Sequence, residues 1–202
     1  MKRSPVTLLV AVLCVLATFV APWVPLVEWP LTSWLVHYDA QHLGVVLVTW
    51  LALGLWMEPR AGSARVALWT IAGLGLSTMV HRLVHPDHSA LVGLSAVAFF
   101  VFAAGFAACA LDRPMGWAGL VGIAMVLALE WRRGTSPGSE FIGALVGDAW
   151  RFPWARGSAT PVAVPIVHSI CAAAGVGFGL LAFGVRAWRR ARPAAAGRPS
   201  IA

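Results

Sequence analysis

The stretch that decides the fold is Gly93-Leu94-Ser95-Ala96 followed by VAFFVFAAGFAACA, which ends at Ala110. The segment contains no charged residue and is apolar enough to lie in a membrane. A polar side chain in hydrocarbon is costly, so the hydroxyl of Ser95 is a functional hypothesis by default. A second apolar run carries one histidine, His168. A serine and a histidine together are the two parts of a minimal hydrolytic centre.

The composition of the whole chain is that of an integral membrane protein. Hydrophobic residues make up 59% and charged residues 11% of the 202 residues, against about 45–50% and about 25% in soluble proteins. The mean hydropathy is +0.79. The net charge of +7 does not indicate a nucleic acid partner, because the basic residues lie mostly at the ends of apolar runs, where topology determinants belong. The expected partner is the lipid bilayer.

Run length, charges and prolines predict six membrane spans and therefore an all-α, six-helix bundle. The spans cover approximately residues 6–26, 41–57, 64–84, 90–111, 115–131 and 161–185. They form one membrane domain, 1–188, and the Arg/Ala/Pro-rich tail, 189–202, is expected to be disordered and cytoplasmic. Placing both termini inside puts ten of the 15 Lys and Arg residues on that side, as the positive-inside rule favours.

Several further residues are given ordinary structural explanations. The loop 132–160 is either irregular or carries a short amphipathic helix at 141–150. Glu130 ends the fifth span and is expected to face water. A group of histidines beside Asp87 has the composition of a metal site, but we prefer a solvated loop, and no metal is expected. That group is His81, His85 and His88.

Three polar residues from three spans are predicted to share one depth. Ser95 lies a turn or two below the start of span four and His168 two turns into span six, so both are roughly 8–10 Å below the outer boundary at ~1.5 Å per residue. His42, at the outer start of span two, falls near the same level. Below His168, one helical face consists of small residues, which let membrane helices approach closely. That face is Cys171, Ala172, Gly175 and Gly179.

The chemistry of acyl transfer needs each of these groups. A neutral imidazole can take the proton of Ser95 and later protonate the leaving amine. Backbone N–H groups at the start of a helix, here those of Leu94 and Ser95, can donate to the oxyanion. Gly93 allows close approach of the backbone at that point, and His42 can add a side-chain donor.

Taken together, these residues resemble the rhomboid family of intramembrane serine proteases. The family's nucleophile motif, Gly-x-Ser-Gly or Gly-x-Ser-Ala, is present at Gly93–Ala96, and its span-six histidine with following small residues matches His168 and Gly175. The family's two histidines five apart match His37 and His42. Its Glu-x-Arg-x-Gly motif is present at 58–62, as Glu58, Arg60 and Gly62.

The resemblance implies a Ser-His dyad without an aspartate and without a cofactor. Ser95 would be the nucleophile, His168 the general base and acid, and His42 an oxyanion donor. Glu58 and Arg60 would tie the cytoplasmic end together, and His37 would be structural. The substrate would be a transmembrane or membrane-anchored protein, cut near the outer face of a bacterial cytoplasmic membrane.

Within the family, the small size and the short first outer loop are most similar to rhombosortases. That branch is thought to process C-terminal sorting segments of the Gly-Gly type. Three features depart from the family: Val46 stands where many rhomboids have an oxyanion asparagine, Cys171 replaces a usual glycine, and the Trp-Arg motif of the first loop is not recognisable. Losing one oxyanion donor costs about 10²–10³ in rate.

Two other functions are compatible with the sequence. One is a catalytically weak rhomboid-like protein that binds transmembrane segments, which Val46 favours. The other is a membrane protein that binds haem through paired histidines, in which the Gly-x-Ser motif has no role. The oligomeric state is not assigned by the sequence.

Overall fold

The computed structural model describes residues 4–24, 32–37, 40–84, 93–110, 113–133 and 165–191, with side chains up to residue 184. The regular structure in these ranges is helical, and a 3₁₀ turn, Ser33–Leu35, precedes the second α-helix. The α-helices are α1 Pro5–Val20, α2 Ala40–Ala61, α3 Ser63–Val84, α4 Ser95–Ala110, α5 Pro114–Arg133 and α6 Pro165–Ala191.

Four of these helices are long and apolar enough to cross a membrane: α2, α3, α5 and α6 up to Gly184. Helices α1 and α4 are also apolar, but each has only 16 residues. The chain is thus an all-helical, polytopic membrane protein, as the sequence predicts. That all six helices cross the bilayer, and that both termini lie inside, stay predictions.

The six helices fall on the six predicted spans, with different ends. Helix α1 ends at Val20 and not at 26, because Pro22 has no N–H to continue the helix. Helix α6 continues to Ala191 and so includes the first three residues of the tail predicted to be disordered. The predicted surface helix at 141–150 and the histidines at 85 and 88 lie outside the described residues. His81, the third histidine of that group, is buried in α3, so its assignment to a solvated loop is wrong.

Helix α4 is the centre of the bundle. Every described side chain from Ala96 to Ala110 is buried except Phe99 and Cys109, and α4 packs against α2, α3, α5 and α6. A helix that is apolar on all faces is kept from water either by protein or by lipid, and for α4 the buried side chains show that it is protein. The low polarity of this run therefore reflects burial in protein, with the neighbouring helices between α4 and lipid.

The closest helix pair, α4 and α6, meets through glycines. A Cβ atom added at Gly175 would lie 2.3 Å from the carbonyl oxygen of Phe100, and one added at Gly179 would lie 2.2 Å from that of Ala104. Cys171 and Ala172, on the same face of α6, are buried as well. The two backbones therefore approach to a distance that only glycine permits.

At the opposite end from Ser95, a carboxylate joins α1 to α2. Glu58 accepts hydrogen bonds from the backbone N–H groups of Val6 and Thr7 (3.0 and 2.8 Å) and from the Thr7 hydroxyl (2.7 Å). These N–H groups belong to the first turn of α1, where the N–H groups have no acceptor within the helix itself. Arg60, by contrast, donates to the carbonyl of Trp56 in its own helix, and its guanidinium lies over the indole ring of Trp56.

Helix α5 is the least enclosed helix around α4. Its buried residues are Gly116, near its start, and Glu130, near its end. A Cβ added at Gly116 would meet the backbone of Ala110, and one at Gly119 would meet the ring of Phe106. Large apolar side chains between these points are exposed, as expected for a face toward lipid.

Replacing Gly175 by alanine is expected to separate α6 from α4. The matched control is Gly177→Ala, because a Cβ at Gly177 meets nothing within 4 Å and both changes add the same helix propensity. Overpacking costs about 1–3 kcal/mol, so Gly175→Ala should be less stable than Gly177→Ala by that amount. Unfolding by SDS titration in detergent measures the difference, and equal stabilities would contradict this account of the packing.

Candidate active site

Ser95 is the first residue of α4, although the sequence predicts a span that begins at 90. Gly93 has a φ of +99°, a conformation that glycine adopts without strain and that other residues rarely do. The first backbone hydrogen bond of the helix runs from Ala98 N–H to Leu94 C=O (2.9 Å). The N–H of Ser95 therefore belongs to the first turn, where N–H groups have no partner within the helix.

The segment before α2 holds this turn in place. The N–H of Gly93 donates to the carbonyl of Ser33 (3.4 Å), and the N–H of Leu94 donates to Nε2 of His37 (3.4 Å). Nδ1 of His37 lies 3.2 Å from the carbonyl of Leu35 and must donate to it, because a carbonyl only accepts. His37 is thus a structural link between the first loop and the start of α4.

The environment of His37 keeps its imidazole uncharged. The ring is fully buried, and this burial, aided by nearby His42, lowers the pKa of His37 to about 3. A neutral ring with Nδ1 protonated leaves Nε2 free to accept from Leu94. The N–H of Leu94, a predicted oxyanion donor, is therefore taken up by His37, and the N–H of Ser95 is the remaining backbone candidate.

The structure brings Ser95 and His168 into direct contact. Oγ of Ser95 lies 3.0 Å from Nε2 of His168. The imidazole is 5% exposed and stacks on the ring of Phe99, with centroids 4.8 Å apart and planes inclined by 29°. Ser95 is half-buried. The two groups thus form a hydrogen-bonded pair in which the imidazole is buried and the serine is partly exposed.

A third polar side chain completes the arrangement at the end of α5. Oε2 of Glu130 lies 2.7 Å from Nδ1 of His168, and Glu130 is 1% exposed. The expectation that Glu130 faces water is wrong. Helix α5 is rotated so that this carboxylate points into the bundle, where the imidazole supplies the partner that a buried carboxylate requires.

His42 lies beside the start of α4, near the beginning of α2. Its ring is half-buried and 5.1 Å from the ring of His37 in a T-shaped arrangement. A Cβ added at Gly93 would be 2.9 Å from Cε1 of His42, so Gly93 leaves room for this imidazole. Val46, one turn further along α2, is buried and apolar and offers no donor there.

The sequence analysis does not identify Glu130 or Phe99 as residues of the site. Phe99 lies four residues after Ser95, a spacing that places both on one face of a helix. Glu130 is an ionisable residue at the end of an apolar run, on the same predicted side as Ser95 and His168. The depth that Glu130 shares with Ser95 and His168 is therefore the sequence signal that points to it.

The fold and the site define a polytopic helical membrane protein with a serine–histidine pair set among helix ends. Residues 28–156 match the family profile described as Rhomboid domain, which is more than half of the chain. The protein belongs to the rhomboid family, whose members are generally intramembrane serine proteases. His168 lies beyond the matched residues. Comparisons with curated proteins and with solved structures found no match.

Gly93→Ala is expected to disturb the site, because the added Cβ meets His42 and the φ of +99° becomes strained. Gly62 is the matched control: its φ is +91°, but a Cβ there meets nothing within 4 Å. Both variants should lose about 1–2 kcal/mol of stability from the left-handed backbone. Only Gly93→Ala should also slow the labelling of Ser95 by a fluorophosphonate, a probe that reacts covalently with activated serines. Equal labelling of the two variants would contradict the role of Gly93 in shaping the site.

Proposed function

We propose that this protein is an intramembrane serine endopeptidase in which Ser95 is the nucleophile and His168 the general base and acid. The observation that carries the proposal is the 3.0 Å contact between Oγ of Ser95 and Nε2 of His168. A serine in a membrane helix more commonly bonds back to its own helix, as Ser77 does with the carbonyl of Leu74. Ser95 is instead paired with an imidazole from a helix 73 residues away.

The proposed reaction follows from the positions of these atoms. Nε2 of His168 accepts the proton of Ser95 as Oγ attacks the carbonyl carbon of the peptide bond. The imidazolium then gives this proton to the amine nitrogen as the C–N bond breaks, leaving an acyl ester on Oγ. A water molecule then gives a proton to the same nitrogen as its oxygen attacks the ester, and the imidazolium passes that proton to Oγ of Ser95 as the second product leaves.

The oxyanion of the tetrahedral intermediate needs donors that are in place before the reaction. The backbone N–H of Ser95 is one, because it opens α4 and the helix dipole favours negative charge there. The imidazole of His42, on α2, is the second. The absence of a Cβ at Gly93 leaves room for this ring beside the start of α4. Val46 supplies nothing, so the site would operate with fewer side-chain donors than an asparagine at this position would allow.

The substrate proposed is a transmembrane or membrane-anchored protein, cut near the outer face. In the N-in, C-in arrangement, the site residues all lie at the outer ends of their helices: the starts of α2, α4 and α6 and the end of α5. The proposed location is a bacterial cytoplasmic membrane. Processing of Gly-Gly-type sorting segments is the narrower proposal and is supported by the similarity to rhombosortases alone.

A rhomboid-like protein that binds transmembrane segments without cutting them is the second candidate. The apolar, buried Val46 favours it, because it removes a place for an oxyanion donor. Haem binding through His168 is disfavoured, since its two ring nitrogens already contact Ser95 and Glu130.

Ser95→Ala and His168→Ala are each expected to abolish cleavage of membrane-anchored substrates while the protein remains folded. Ser77→Ala is the matched control, because it removes a buried membrane serine that bonds only to its own helix in the described contacts. The measurement is the size of secreted and membrane-anchored proteins in cells that carry each variant. Full cleavage by Ser95→Ala would exclude the mechanism.

A fluorophosphonate probe separates the two candidate functions directly. An activated serine reacts covalently with the probe, whereas the hydroxyl of a binding protein does not. Labelling of the unchanged protein at Ser95, located by peptide mapping and lost in His168→Ala, is expected for the protease. An unlabelled Ser95 in folded protein would favour the binder.

A further inference from the structure

We propose that Glu130 is a positioning residue for His168, so that the site is a Ser-His-Glu triad in place of a dyad. The inference rests on the proposed function, because it assigns a role within that reaction. Its basis is the 2.7 Å hydrogen bond between Oε2 of Glu130 and Nδ1 of His168, opposite the nitrogen that contacts Ser95.

The proposed triad requires one tautomer of His168. With Glu130 as a carboxylate, which only accepts hydrogen bonds, Nδ1 of His168 carries the proton and donates it to Glu130. A neutral imidazole has one N–H, which leaves a lone pair on Nε2. That lone pair faces the hydroxyl of Ser95 and is the group that a general base requires.

Glu130 can also stabilise the positive charge that develops on the imidazole of His168 during the reaction. During attack the proton moves from Oγ of Ser95 to Nε2, and the ring becomes a cation that faces the negative charge of Glu130. The proton then leaves to the amine, and Glu130 keeps its protonation state throughout. The burial of Glu130 makes this interaction stronger than it would be in water.

A purely structural role for Glu130 would be to fasten α5 to α6, and the structure offers a separate contact with that function. Nε1 of Trp131 donates to Oγ of Ser169 at 3.0 Å. This bond joins the same two helices one residue further along each, at an exposed position. Ser169→Ala is therefore a matched control that removes a link between α5 and α6 and leaves both hydrogen bonds of the imidazole in place.

The test compares Glu130→Gln, Glu130→Asp and Ser169→Ala by the rate at which a fluorophosphonate labels Ser95. A neutral amide can donate to Nδ1 and select the wrong tautomer, so Glu130→Gln should label more slowly by about 10²–10⁴-fold. Glu130→Asp keeps the charge on a shorter side chain and should recover part of the rate. Ser169→Ala should label as the unchanged protein does. With a cleavable substrate, kcat should fall in Glu130→Gln while KM holds.

A spectroscopic measurement on the unchanged protein keeps the proposal open to refutation if Glu130→Gln does not fold. Nitrogen-15 NMR of histidine-labelled protein in detergent, with His168→Ala for assignment, reports which ring nitrogen carries the proton. We expect Nδ1–H with a far-downfield proton resonance. A neutral ring protonated at Nε2 would overturn the proposal, because Glu130 would then be the donor and Nε2 could not act as the base.

The outcomes separate this inference from the proposed function. If the unchanged protein is not labelled at Ser95, the proposed function fails and the triad fails with it. If the unchanged protein and Glu130→Gln are labelled at the same rate, the triad alone is overturned and the dyad stands. If Ser169→Ala loses as much rate as Glu130→Gln, the role of Glu130 is to fasten α5, and the triad is again overturned.

Discussion

The approach of α6 to α4 through Gly175 and Gly179 is the constraint on which the site depends. The backbone carbonyls of Phe100 and Ala104 occupy the space where side chains would otherwise stand. This approach brings His168 within hydrogen-bond distance of Ser95 across 73 residues of sequence. Close packing between small residues contributes to helix association in lipid, so the same contacts that stabilise the bundle also assemble its polar centre.

A second constraint acts on the start of α4. Gly93 and Leu94 are bonded to Ser33 and His37, so the helix cannot extend further toward its N-terminus. Its 16 residues span about 24 Å, less than the hydrocarbon thickness of about 30 Å. The neighbouring helices α2, α3 and α5 are longer and enclose it. Its first residue, Ser95, is half-buried among them.

The hydropathy of the sequence predicts part of the fold and of the site and leaves the rest undetermined. Run lengths located the helices, and the small-residue face of α6 indicated the close contact of His168 with α4. Hydropathy could not report the φ of Gly93, so the apolar residues before it extended the predicted span past Ser95. Glu130 stands next to Trp131 and two arginines, as an interfacial carboxylate commonly does. Its direction depends on the rotation of α5, and a helix that is apolar on nearly all faces does not specify its rotation.

The way in which α5 is attached has a mechanical consequence. The helix approaches α4 most closely near its start, at Gly116 and Gly119, and is bonded to α6 near its end by Glu130 and Trp131. A swing about the glycine end would widen the gap between α5 and α6 and carry the carboxylate away from the imidazole in the same motion. With Glu130 in its proposed positioning role, a substrate segment that entered between α5 and α6 would therefore meet an imidazole without its carboxylate partner until α5 returned.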